Sequence, residues 1–524
     1  MSLIRAATTV GGFTLLSRVV GLIREMLMAR FLGAGFAADA FLVAFRLPNL
    51  FRSLFAEGAF SAAFVPMVSA RLGDRPDGQR NVAAAVYFTE QALALLLPIL
   101  LIFTLVVMIA AVPVVWLMTG GFEDRSPEKL ELTVLLTRLT FPYLMLISLA
   151  SLLGGLLNAL GRFWVYAAAP IILNLVFIAG FIWFRGDDPV DTAVMQAAAV
   201  TIAGILQLLW LVWGCARANA LPRLRLPKLT PGMRTLLKRI GPAALGAGAT
   251  QINLLISTLI AARLLPQGSV AFLYYADRLN QLALGMIGVG MGVALLPTMG
   301  RLIGAGNISA AIHQQNRAIE FVLLFAIPAA TGLVVAAEPI IAALFQQGEF
   351  TASDAANTAA ALQVFSLGLP AYMLIKVLTP GFHARGDTRT PMRIGLLAIL
   401  VNLAGNLLLS QPFAHVGIAL ATAISAWVNV GLLWWSLHRR GDFAVDAALS
   451  RAAPRMLLAG MVMAAAVWML VEPLLAWASG DALSRIFALA ILLSAGAISY
   501  FGAGYLVKAY DLKQIVGALK RGKS

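Results

Sequence analysis

Nine ionisable side chains interrupt stretches that otherwise read as lipid-spanning helices. They are Arg18, Arg24, Glu25, Asp39, Arg46, Arg52, Glu57, Asp277 and Arg278. A charge at the centre of a bilayer costs at least about 2.5–3.5 kcal/mol, so such residues need a function, a partner or water. Five of the nine are arginines. The planar guanidinium fork matches the oxygens of a phosphate two at a time, which a lysine ammonium does not do. A surplus of buried arginine over acid therefore points to binding of an anionic, phosphate-bearing ligand. At 100° per residue, Asp39, Arg46 and Glu57 fall within about 20° of one another and give one helix a polar seam. Arg52 falls about 120° away on an ideal helix, and Pro48 can bend that geometry. Arg18 and Arg24 are also about 120° apart, with Gly21 between them as a place to bend. For any one of these residues an internal ion pair, such as Asp39–Arg46 or Asp277–Arg278, is the plainer explanation; for the group, the excess of arginine argues against it.

The elements that must position these charges are set by composition. Hydrophobic residues make up 60% of the 524, charged residues only 12%, and the mean hydropathy is +0.87. A soluble domain is nearer half apolar and a quarter charged. The fold class is therefore an all-α polytopic membrane protein. About fourteen stretches are long enough to span, given about 20 residues per crossing. The net charge of +15 is loop charge that orients the chain, not a nucleic-acid surface. One set of connections holds Arg71–Arg80, Arg217–Arg239, Arg385–Arg393, Arg439–Arg455 and the Lys513–Lys523 tail. The alternate set holds Glu123–Glu131, Asp187–Asp191, Glu349–Asp354 and Glu472–Asp481. Lys/Arg-rich loops stay in the cytoplasm, so both termini are expected there. The N-terminus reads as a retained first helix, because Arg18 interrupts its apolar run.

The two sides of the proline-bearing basic segment resemble each other. ARFLGAG (29–35) matches ARLLPQG (262–268), FRLPN (45–49) matches DRLN (277–280), and FVPMVSARL (64–72) matches LLPTMGRL (295–302). The expected organisation is an N-lobe of six helices over 1–216, a linker over 217–233, and a C-lobe of six over 234–438. Two appended helices and a basic tail follow over 439–524. A parallel repeat of this kind suits a central site with alternating access.

Other chemistry is sparse. The histidines (His313, His383, His415, His438) show no metal-ligand spacing, and the single Cys215 allows no intrachain disulfide. Gly285, Gly288, Gly290 and Gly292 favour close helix packing. Asn402 and Asn406, one helical turn apart, read as hydrogen-bond partners between helices. No nucleophile–base pair and no phosphate loop appears, so no catalytic residue, metal or cofactor is expected. A membrane enzyme acting on a polyprenyl phosphate would need a loop carrying acids and a histidine in catalytic reach, and the loops lack such a cluster.

SRVVGLIREMLMARFLGAG (17–35), ADAFLVAFRLPNLFRSLFAEGAFSAAFVP (38–66), YYADRL (274–279) and PGFHARGDTRTP (380–391) resemble the MurJ/MviN lipid II flippases of bacteria. The resemblance implies the fold of the multidrug/oligosaccharidyl-lipid/polysaccharide exporter superfamily, in the bacterial inner membrane. It implies lipid II, the undecaprenyl-pyrophosphate-linked disaccharide-pentapeptide, as partner, with membrane lipids around it and no oligomer required. It assigns pyrophosphate binding to Arg18, Arg24, Arg52 and Arg278, and a functional role to Asp39, Glu57 and Asp277. Arg46 stands where relatives often have Lys, and Ser53 where some have a second Arg. It also implies that the last two helices flank a groove for the polyprenyl tail. The alternative is an exporter of drugs, coupled to a cation, or of other polyprenyl-linked oligosaccharides on the same fold; cation coupling favours an acid-rich cavity, not an arginine-rich one.

Overall fold

The computed structural model describes residues 3–53, 59–73, 81–122, 126–477 and 482–510, and the described residues are α-helical with irregular connections. They form two compact units. The first comprises the chain to Ala271 together with 347–350, and the second comprises 272–346 and 351 onward.

The first unit holds α1 (Leu3–Leu32), α2 (Phe36–Arg52), α3 (Ala59–Arg71), α4 (Val82–Ile109), α5 (Ala111–Thr119), α6 (Pro127–Thr140), α7 (Pro142–Ala159), α8 (Phe163–Trp183), α9 (Pro189–Arg217) and α10 (Pro231–Leu264). Local chemistry fixes where these helices start. Ser126, Asp188 and Thr230 each cap a helix by accepting a backbone N–H, and each is followed by a proline at the first helical position. A side-chain cap satisfies an orphan donor, and proline has no N–H to leave orphaned there. The apolar stretch 83–118 is broken at Ala110, and the stretch 133–160 at Phe141, where Pro142 begins a new helix.

Packing separates central from peripheral helices. Across the stretch Pro127–Ala159 (α6 and α7), 78% of the most apolar window is buried in protein, against 28% for α4. Accordingly α4 and α5 leave Ile102, Ile109 and Leu117 exposed, as a lipid-facing surface requires. The helix α2 packs on α6, α7, α9 and α10, whereas α1 packs on α8 and α9. The helix α10 packs on α2, α3, α4 and α5. The basic segment 217–233 thus lies inside the first unit, and the chain passes into the second within α11 (Ser269–Gly304).

The second unit continues with α12 (Ile308–Val335), α13 (Ala337–Phe345), α14 (Ala352–Leu367), α15 (Leu369–His383), α16 (Arg389–Arg439), α17 (Ala447–Trp477) and α18 (Ala482–Leu506). The apolar stretch 354–384 breaks at Gly368 into α14 and α15. The two apolar stretches 391–410 and 415–437 run on as α16, bent where Ala414 takes φ 46° and ψ −130°. Pro412 lacks the N–H of the regular ladder. At Gly417 a β-carbon would stand 2.0 Å from the Leu409 carbonyl oxygen, so only glycine lets the two segments approach this closely. Asn402 and Asn406 are both fully buried there. Asn406 Nδ2 donates to Asn402 Oδ1 at 3.1 Å, and Asn402 Nδ2 donates to Thr422 Oγ1 at 3.1 Å. They staple the two halves of α16 across the bend, as partners between helical segments. Among the described residues nine helical stretches are long and apolar enough to cross a membrane.

Candidate functional site

The four candidate arginines of the first unit, Arg18, Arg24, Arg46 and Arg52, stand on α1 and α2, and each is part-buried. Arg24 donates to its neighbour Glu25, which is 3% exposed. Its guanidinium also lies 5.4 Å from the centroid of the Phe177 ring on α8. Phe177 belongs to an aromatic group with Phe41, Phe45 and Tyr143, with ring centroids 6.0 to 6.3 Å apart. Arg24 is thus backed by a low-dielectric wall, which strengthens its pairing with Glu25. Asn174 on α8 donates to the Ser17 carbonyl at 3.0 Å and packs against Gly21, which fixes α1 between Arg18 and Arg24.

On α2, Arg46 donates to the Leu254 carbonyl of α10 at 3.0 Å. Arg52 donates from Nε to Asn49 Oδ1, one turn back, at 2.9 Å. Gln251 of α10 donates to Ser53 at 2.9 Å. The helix α10 therefore contributes polar groups beside both ends of the Arg46–Arg52 stretch. Neither Gln251 nor the Leu254 carbonyl stood out in the sequence: a lone glutamine in an apolar helix carries no spacing signal, and a backbone carbonyl carries none at all.

Asp39 takes a different place. It is 2% exposed, as is Lys129 of α6. Its carboxylate accepts from the Lys129 ammonium at 3.4 Å, from the Gly268 amide at 2.8 Å and from the Ala271 amide at 3.0 Å. The Lys129 nitrogen also lies 4.6 Å from the centroid of the Phe122 ring. A carboxylate held by three donors is fully engaged. Its cation is Lys129, and not Arg46, which turns to Leu254. Lys129 was legible as the one basic residue in the acid-rich stretch Glu128–Glu131, yet nothing local joined it to a residue ninety positions earlier. Beside this cluster the chain between α13 and α14 returns to α1: the Glu349 amide donates to the Arg30 carbonyl at 2.9 Å. Gly33 has φ +64°, and a β-carbon there would stand 2.6 Å from the Glu349 carbonyl oxygen.

In the second unit Asp277 accepts from Gln281 one turn ahead on α11. Arg278 lies with its guanidinium 4.7 Å from the centroid of the Tyr274 ring one turn back. Tyr274 orients the guanidinium plane by a cation–π contact, a role absent from the sequence reading. The motif containing Arg385 and Asp387 is tied down: Arg385 pairs with Asp442 at 2.8 Å, and Arg440 with Asp387 at 2.7 Å. Glu57 lies outside the described residues. Four of the five arginines thus share two consecutive helices of one unit, and the fifth stands on α11 of the other.

The solved structures place the fold. A lipid II flippase in an inward closed conformation superposes with a TM-score of 0.75 at 21% identity, covering 95% of this chain and 98% of its own. An inward-facing multidrug transporter of the MOP superfamily gives 0.65 at 16% identity, over 83% of this chain and 98% of that one. Sequence relatives are nearer. The probable lipid II flippase of Rhizobium tropici is 41% identical over 99% of this chain and 97% of its own length. The lipid II flippase of Burkholderia cenocepacia is 35% identical over 96% of this chain and 97% of its own. The family model described as lipid II flippase MurJ matches residues 28–488, and the chain belongs to that family.

Proposed function

We propose that the protein moves lipid II from the cytoplasmic to the periplasmic leaflet, with Arg18, Arg24, Arg46, Arg52 and Arg278 binding the pyrophosphate. The observation that carries this reading is the set of part-buried guanidinium groups on α1, α2 and α11, in a chain of the lipid II flippase family. A diphosphate offers oxygens to several guanidinium forks at once, and a site backed by aromatic rings favours such contacts over bulk water. Access to these arginines alternates between the two faces of the membrane, and the two-lobed repeat of the sequence supports that motion. The basic loops and both termini lie on the cytoplasmic side. The fold is shared with multidrug transporters; the arginine surplus favours a phosphate-bearing substrate over cation-coupled drug export, which favours an acid-rich cavity.

The test is a leaflet-accessibility assay for lipid II in cells depleted of the resident flippase and supplied with this protein. The expected result is restored lipid II in the outer leaflet, lost in Arg24→Ala and Arg278→Ala at unchanged membrane abundance. Failure of the wild-type protein to restore it, at normal abundance, overturns the reading.

A further inference from the structure

Between α9 and α10 the chain runs as an irregular segment over 218–230. From Arg217 to Arg239 it carries seven basic residues and no acidic one. Its conformation is anchored on α4. Glu90 of α4 is 4% exposed; it accepts from the Arg223 backbone amide at 3.0 Å and from the Arg225 side chain. The Arg225 guanidinium also lies 4.9 Å from the centroid of the Tyr87 ring. Thr230, which caps α10, donates to Gln91 at 3.2 Å. The Arg225 side chain lies along α4 with about half of its surface exposed, and its charge is matched there by Glu90.

Its two neighbours turn the other way. Leu224 is 73% exposed and Leu226 81% exposed, with Leu221 and Leu229 about half exposed beside them. Large leucines at this exposure on a connection are costly in water. The segment follows directly on the apolar span α9, so it lies at a membrane face. Its level is marked by an indole cluster at the end of α9: Trp164, Trp210 and Trp213 have centroids 4.8 to 6.2 Å apart, and Arg217 lies 5.8 Å from the Trp213 ring. Tryptophan with arginine is the pairing found at headgroup depth. A run of basic residues beside a spanning helix attracts anionic headgroups.

We propose that the segment 218–230 is a membrane-surface strap: Leu224 and Leu226 enter the headgroup region of an anionic phospholipid bilayer, while Glu90 holds Arg225 on α4. Arg223 and Lys228 stay exposed and supply the charge for the lipid phosphates. The strap fastens the start of α10 to the bilayer surface, whatever the protein carries.

The test uses the full chain with Cys215→Ala, which leaves no other cysteine. An environment-sensitive NBD dye is placed at Leu226→Cys, or at Leu224→Cys, and the protein is reconstituted into phosphatidylcholine vesicles with or without phosphatidylglycerol. The exposed Asp187→Cys is the reference site. With phosphatidylglycerol, both strap dyes are expected to shift their emission to the blue. A headgroup-attached nitroxide lipid should quench them, and aqueous iodide should reach them less than it reaches the reference. The shift should shrink without phosphatidylglycerol and in the Arg223→Gln/Lys228→Gln variant. Water-like emission with iodide quenching equal to the reference, in both vesicle types, overturns the proposal. Lipid quenching that ignores both phosphatidylglycerol and the basic residues overturns its anionic part.

Discussion

Removing the Asp39 carboxylate separates a structural clamp from a transport acid. Asp39→Ala leaves the Lys129 ammonium, 2% exposed, without its counter-charge, and leaves the Gly268 and Ala271 amides without their acceptor. Breaking a buried pair by deleting one partner costs about 3–5 kcal/mol. Each orphaned amide costs about 1–3 kcal/mol on its own. These costs overlap, and the Phe122 ring remains beside Lys129, so a total near 4 kcal/mol is expected, within the range for pair breaking. Asp39→Asn keeps one acceptor oxygen and should cost less. The double variant Asp39→Asn/Lys129→Met removes both charges and should be more stable than the sum of the single changes, because no unpaired ion is left. Unfolding in detergent can be followed with a thiol-reactive fluorogenic dye, since Cys215 is the sole cysteine and is buried. The expected order of melting temperature is wild type, then Asp39→Asn, then Asp39→Ala. The double variant should lie above the value that additivity of its two single changes gives. Asp39→Ala melting with the wild type while losing lipid II transport would refute the clamp and make Asp39 a transport acid.

Arg24→Ala should abolish complementation at near-normal membrane abundance; parallel loss of protein would make it a structural residue paired with Glu25. Arg278→Lys should lower lipid II transport per folded molecule while Tm barely moves, because the ammonium lacks the planar fork; wild-type rates would remove the bidentate contact and leave only a charge requirement. Gly417→Ala should destabilise by about 1–3 kcal/mol through overpacking against the Leu409 carbonyl, read as reduced folded yield; an unchanged yield would show that the bend relaxes freely. Hydrogen bonding from Thr390 and pairing with Arg440 hold the Asp387 carboxyl well below the ordinary carboxylate range. Its stabilising contribution is therefore present above the unfolded-state value and lost as pH falls through the lower folded-state value. The Tm gap between wild type and Asp387→Asn should be full at neutral pH and should close only in strong acid.

Sequence alone determined the all-helical membrane class, the apolar stretches and the arginines placed within them. Apolar runs, proline positions and side-chain caps at Ser126, Asp188 and Thr230 act within a few residues, so they are written locally. The inventory of charges that lipid would penalise was legible for the same reason: hydropathy is a property of the stretch itself. The helix break at Ala110 was not legible, because the apolar run continues through it; those at Phe141 and Gly368 are marked locally only by Pro142 and Pro370 inside a continuing apolar run. The partners were not legible either. Lys129 meets Asp39 ninety residues away, and the amides that share that carboxylate lie 229 and 232 residues away. Helix formation satisfies the backbone within four residues, whereas the pairing of a buried charge is set by which helices pack side by side. For Asp39, Arg46 and Arg225 that choice belonged to the tertiary structure, which gave them Lys129, the Leu254 carbonyl and Glu90.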